Sequence, residues 1–182
     1  MIMKKHVVSV AAVLLWGSCL LGSAYADGEV KSLKEFLYWD NGKVRQCTIY
    51  SAQTGKMKAK VYCGIGGSIE RVEKFDERGN MLEEALYDSN GRLKPGIDGW
   101  AAMRWRYSGS QVMLQVSYDE FGKPIERKFY SESGKLVMRI YRDDDTVNPY
   151  VNAAMYMMLG SGNIGYYDPH ETFDEVTRVM AE

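Results

Sequence analysis

The chain has 182 residues and a formal net charge of −1, with 23 Lys and Arg against 24 Asp and Glu. That balance argues against a nucleic-acid binder, which carries a basic surplus. The length suits one domain with a proper core and leaves little room for a second. The chain holds two histidines; His6 falls in an N-terminal export signal, so His170 alone would remain and a multi-histidine zinc or iron site is excluded.

Met1 to Ala26 has the three parts of a secretory signal: Lys4 and Lys5, an apolar run from Val7 to Leu21, and small residues ending Ala24-Tyr25-Ala26. Cleavage is expected after Ala26, giving a periplasmic or secreted protein of 156 residues with 21 basic and 24 acidic side chains. The apolar run of 15 residues is shorter than the roughly 20 that span a bilayer, so no transmembrane segment is expected after cleavage. Cys19 admits lipoprotein processing as an alternative, against which stands Trp16 where leucine is usual. Cys47 and Cys63 then form an even pair in an oxidising compartment, and a disulfide is expected. They sit almost symmetrically about Thr54-Gly55, so a hairpin of Val44–Tyr50 and Met57–Cys63 would place them nearly opposite. A catalytic redox pair would want C-x-x-C spacing, which is missing.

An aromatic residue, a small polar residue and a glycine recur along the chain, as in Tyr38-Trp39-Asp40-Asn41-Gly42, Phe75-Asp76 with Gly79, and Tyr87-Asp88 with Gly91. The aromatics fall 11 to 13 residues apart, with one interval of 20 between Tyr87 and Tyr107. Asp or Ser at the first turn position and Gly at the fourth suit a type I turn, so Asp40, Asp76, Asp88 and Asp119 read as turn residues rather than catalytic or calcium-binding carboxylates. Segments such as Leu82–Tyr87, Val112–Tyr118, Ile125–Tyr130 and Leu136–Tyr141 are β-rich, and a strand plus a turn fills each period. The predicted fold is mainly β: an antiparallel β-meander of about twelve-residue repeats over 27–146. Ser68–Lys74, nearly all polar, reads as an edge or solvated strand.

The units Tyr87-Asp88-Ser89-Asn90-Gly91-Arg92-Leu93, Tyr118-Asp119-Glu120-Phe121-Gly122-Lys123-Pro124 and Tyr130-Ser131-Glu132-Ser133-Gly134-Lys135-Leu136 resemble bacterial YD repeats and the MORN-variant repeats of exported proteins. The resemblance covers residues 38 to 142. It implies a twisted antiparallel β-architecture and a role as scaffold, interaction surface or antitoxin-like protein, with no shared catalytic residue.

The long interval, Leu93 to Arg106, carries turn signals at Pro95-Gly96 and Asp98-Gly99 and then Trp100, Arg104, Trp105, Arg106 and Tyr107. With Tyr118 these form the candidate binding set, Arg104 and Arg106 lying on the other side of the strand from Trp105. The plainer alternative has Trp100 plugging the end of the sheet and Trp105 in its core. After Asp143-Asp144-Asp145 the period becomes helical, and 147–182 is expected to be a helical cap of the same domain. One helix starts at Asn148-Pro149 and ends at Gly160; a second starts at Asp168-Pro169, with Phe173, Val176, Val179 and Met180 as its apolar stripe.

Gly160-Ser161-Gly162-Asn163-Ile164-Gly165 matches a dinucleotide fingerprint literally, yet it follows a helix and reads as a link. Asp143 to Asp145 lacks the rest of an EF-hand loop and reads as a solvated turn. His170, in the first turn of a helix, has no assignable nucleophile beside it. No cofactor, metal or catalytic residue is therefore assigned, and an enzyme is not expected. The expected function is an exported, non-catalytic β-repeat binding or scaffold module acting on an envelope protein or polymer. One alternative is an antitoxin-like immunity protein that neutralises a periplasmic toxin, and another is an envelope glycan-active enzyme with two carboxylates flanking a cleft.

Overall fold

Asp76 and Gly79 show how one unit turns. Gly79 N–H donates to the Asp76 carbonyl at 3.0 Å, and Asp76 N–H donates to the Asn80 carbonyl at 2.9 Å. This is a type I turn followed by a glycine at φ +88°, the three-residue hairpin loop with a bulge. Oδ1 of Asp76 accepts from the backbone N–H of Arg78 and of Asn80, each at 2.8 Å. The same two backbone bonds close the turns that begin at Trp39, Gly64, Asp88, Gly96, Asp119 and Ser131. The insertion thus contains a turn of the same kind, at Gly96 to Gly99, and the unit at Tyr62 has a full turn as well.

The computed structural model describes residues 32–141 and 168–181. Nine strands follow one another: β1 (Ser32–Tyr38), β2 (Val44–Ser51), β3 (Met57–Cys63), β4 (Ile69–Phe75), β5 (Met81–Leu86), β6 (Ala102–Ser108), β7 (Gln111–Tyr118), β8 (Pro124–Tyr130) and β9 (Leu136–Tyr141). They form one sheet in sequence order, each antiparallel to the next, which is the meander expected from the period. One helix, α1 (Pro169–Ala181), is described. Its start matches the cap at Asp168, while the other expected helix, from Asn148, lies outside the described residues. So do the export signal, the acidic run and the glycine motif at 160–165.

The recurring aromatic has a structural partner that the sequence reading missed. Beside most turns the ladder shifts register by one residue, and the residue past the shift pairs with an apolar residue two places after the turn glycine. Tyr50 faces Met57, Phe75 faces Met81, and Tyr130 faces Leu136. Tyr87 and Leu93 keep the rule as an isolated bridge at the insertion. The repeat therefore specifies a cross-strand pair that clamps the mouth of most of the hairpins.

Strand alternation puts Cys47, Val61, Val72, Ala85, Leu114 and Val116 on one face, each at most 3 % exposed. Helix α1 lies on this face. Val176 is buried, and the Phe173 ring stands 5.1 Å from that of Tyr87. Two polar ties fix it: Thr172 Oγ1 donates to Glu83 Oε1 at 2.6 Å, and Lys74 Nζ meets Glu175 Oε2 at 2.7 Å. The opposite face is polar and aromatic. There Arg71 contacts Glu73 at 3.2 Å and Glu84 at 3.7 Å while its guanidinium stacks over Tyr62.

Two expectations are corrected here. The segment read as an edge or solvated strand is β4, an interior strand between β3 and β5. Its charges are tolerated because Arg71 pairs with Glu73 along β4 and with Glu84 across the ladder, with Glu73 buried. The Cys47–Cys63 disulfide is not formed, and both cysteines are buried free thiols. The β2–β3 hairpin closes in a register that sets Cys47 against Val61, while Cys63 faces Ile69 on β4. The two cysteines are left as diagonal neighbours on one face, about 7 to 8 Å apart, beyond the roughly 4.4 to 6.8 Å that a disulfide spans between Cα atoms. Burial pushes the Cys47 thiol up to about 11.

Candidate functional site

The site grows out of the weakest seam in the sheet. Strands β5 and β6 share three residue pairs, Glu83↔Arg104, Glu84↔Met103 and Ala85↔Ala102, whereas β6 and β7 share seven. The cause is the insertion, which replaces the tight turn that clamps the other hairpins. Past Glu83 and Arg104 side chains span the gap: Tyr107 O–H donates to the Met81 carbonyl at 2.9 Å, and Asn80 Nδ2 donates to the Gly109 carbonyl at 3.2 Å.

Two hollows border this seam. The first, of about 420 Å³, is lined by Lys74, Leu82, Glu83, Arg104, Trp105, Arg106, Leu114, Val116 and Tyr118. The second, of about 560 Å³, includes Asp76, Arg78, Tyr107, Met113 and Glu132. They share Leu82, Trp105 and Arg106. Such volumes are those of small-ligand sites.

The first hollow holds an unusual charge arrangement. The Glu83 carboxylate is buried; Thr172 donates to one oxygen, and Arg104 Nε lies 3.5 Å from the other. Arg104 and Arg106 project to the same face because they sit two apart on β6, opposite Val116 and Leu114. Trp105, opposite Gln115, projects to the other face, as alternation requires. The Tyr118 phenol is raised by burial, with Arg104 and Arg127 opposing the shift, so it stands as a protonated donor at neutral pH.

Of the six residues in the sequence-derived set, Arg104, Trp105, Arg106 and Tyr118 line the first hollow, and Tyr107 lines the second beside Trp105 and Arg106. Two are placed differently from the expectation. Tyr118 is a core residue, 1 % exposed, because it faces Ala102, whose small side chain leaves room for the ring. Trp100 precedes β6 and lines neither hollow; its carbonyl accepts from Gly96 N–H at 2.8 Å. Lys74, Glu83 and Thr172 were missed. Lys74 and Glu83 are cross-strand partners, a relation visible only once the register is known.

Other carboxylates have structural partners. Asp88 and Asp119 accept backbone N–H bonds within their own turns. Glu73 and Glu84 face each other across β4 and β5 but are bridged by Arg71 and line neither hollow. Among the described residues no group of three or more His, Cys, Asp or Glu could hold a metal ion. No helix among them is long and apolar enough to cross a membrane.

No family model and no curated protein matches this chain. Solved structures give faint likenesses. One is "accessory secretory protein 1,2 and 3 in Streptococcus pneumoniae", at 17 % identity and a TM-score of 0.26 over 66 % of this chain and 20 % of that one. Another is the Glycosylation Associate Protein (Gap123) complex from Streptococcus agalactiae, at 18 % and 0.25 over 82 % and 24 %. A GtfA/B complex bound to UDP and GlcNAc gives 11 % and 0.22 over 53 % and 18 %. The chain thus spans about a quarter or less of each, and TM-scores this low carry no argument about what it does.

Proposed function

We propose that this chain is an exported, non-catalytic binding module whose contact site is the hollow at the β5–β6 seam and whose target is a component of the cell envelope. The supporting observation is that one hollow gathers Arg104 and Arg106 from β6, the strand after the insertion, together with Lys74 and Glu83 and beside the buried Tyr118 of β7. Arginine is among the side chains that dominate recognition surfaces. The leader-like N-terminus supports export, and the twelve-residue units support kinship with YD-repeat and MORN-variant proteins.

The test is sedimentation of the purified chain with insoluble cell-wall polymer, beside capture of envelope proteins, comparing wild type with Leu82→Trp. Leu82 lies on the rim of both hollows and is 39 % exposed, so the indole fills space without disturbing the core. The reading expects retention by the wild type and at least a ten-fold loss in the variant at unchanged melting temperature. Equal retention by both proteins would overturn it.

A further inference from the structure

We infer that β9 is the docking strand for a second copy of this chain, whose own β9 adds antiparallel to it about a two-fold axis at Met138. Neither hollow takes part in this pairing.

Strand β9 ends the sheet and borders β8 alone among the described residues. A strand so placed offers backbone donors and acceptors to any extended chain that reaches it, and soluble proteins guard such strands with charges or proline. At the other end of the sheet β1 carries Lys34 and Glu35 side by side. β9 reads Leu-Val-Met-Arg-Ile-Tyr, without proline, and Leu136, Val137 and Tyr141 are 41 %, 65 % and 52 % exposed. Its one charge is held on its own sheet: Arg139 Nε lies 3.0 Å from Glu126 Oε1, and Nη1 donates to the Tyr141 hydroxyl at 3.0 Å.

Faces and charges select the occupant and its register. Met138 lies opposite Phe129 on the face that bears the helix, with Val137 and Arg139 on the other. Residues directly opposite in an antiparallel pair share a face, so like faces join only if the axis passes through a residue rather than between two. An axis at Val137 sets Lys135 against Arg139 of the second copy, and an axis at Arg139 sets the two arginines against each other. Like charges directly opposite are destabilising. An axis at Ile140 pairs only Arg139 to Tyr141 within the strand. At Met138 the pairing runs from Leu136 to Ile140: Met138 meets Met138, Arg139 meets Val137, and Ile140 meets Leu136. One patch is thus complementary to itself, as a two-fold contact requires. A six-residue strand from each copy falls far short of the roughly 20 to 30 residues a side of a standard interface, so the dimer is weak and forms in the micromolar range.

Analytical ultracentrifugation of the purified full chain, from low to high micromolar concentration, tests this with two variants at the most exposed position of the strand. Val137→Lys meets Arg139 of the second copy with a like charge and Val137→Glu with an opposite one, and the contact occurs twice. The expected result is a reversible monomer–dimer equilibrium in the wild type, with Val137→Glu associating about ten-fold or more tightly than Val137→Lys. Melting temperatures should stay together, because the side chain is exposed. Under mild oxidation Met138→Cys should give a covalent dimer. Tyr141→Cys should not, since its two copies stand about 20 Å apart in this register. A chain that stays monomeric, equal association of the two Val137 variants, or Met138→Cys that does not cross-link would each overturn the inference. So would growth beyond the dimer, which β1 of a further copy seated on β9 would produce.

Discussion

Thr172 and Glu83, 89 residues apart in the chain, meet across the helix–sheet interface in a 2.6 Å hydrogen bond. Both are buried, so removing the donor takes a charge-assisted hydrogen bond from the helix–sheet interface. Thr172→Val keeps the shape of the side chain and deletes the hydroxyl. The expected cost is about 1.5 to 3 kcal/mol of unfolding free energy, the range for a hydrogen bond to a charged group, read by urea denaturation. A change below about 0.5 kcal/mol, within the scatter of ordinary surface substitutions, would show that the bond does not hold the helix.

Gly91 and Gly79 occupy the same turn position at φ +76° and φ +88°. At Gly79 a Cβ would meet nothing within 4 Å, whereas at Gly91 it would lie 2.6 Å from Phe173 Cζ. Gly79→Ala should therefore cost only the left-handed penalty of about 1 to 2 kcal/mol. Gly91→Ala should cost about 1 to 3 kcal/mol more through overpacking. In a Phe173→Ala background the two glycine substitutions should converge, and a persistent gap would contradict the helix placement.

The Asp88 carboxyl is held below its ordinary value of 3.8, first by the Arg92 backbone N–H and also by Asn90. A depressed folded value means that its contribution to stability is present above the unfolded value and is lost as the pH falls through the folded one. Asp88→Asn should flatten the acid limb of the stability curve below about pH 4 and leave its shape near pH 7 unchanged. Denaturation midpoints measured from pH 6 down to pH 2 test this, and parallel curves would refute it.

Both thiols are raised chiefly by burial, Cys47 to about 11. Iodoacetamide at pH 8 should therefore leave Cys47 and Cys63 unlabelled in the native protein and label both in denaturant without reductant. Failure to label in denaturant would mean that a disulfide has formed after all.

The turns were legible because their chemistry is local: Asp at the first position and Gly at the fourth announce Asp88 to Gly91 without any knowledge of the sheet. The opposite faces of Arg104 and Trp105 follow in the same way from a period of two. What could not be read is whatever depends on register. Mirror symmetry about Thr54-Gly55 would oppose Cys47 and Cys63, and the actual register instead sets Cys47 against Val61, two residues short of Cys63. Lys74 and Glu83 belong together only once the shift beside Phe75 is known. Tyr118 holds the same repeat position as Tyr130, and its burial reflects Ala102 on the neighbouring strand, a partner sixteen residues away.

The unbroken order from β1 to β9 also governs how the chain reaches this state. Nearly every strand pair is closed by a short loop, so the entropy of loop closure is small at each step and the sheet can extend from any hairpin outward. Helix α1 is different, since its bonds to Glu83 and Lys74 close loops of about ninety and a hundred residues. Those contacts carry the largest chain-ordering cost and are expected to form after the hairpins, which pulse-labelled amide exchange would resolve. Glu83 and Lys74 also line the first hollow, so its wall is completed only when the chain has finished folding.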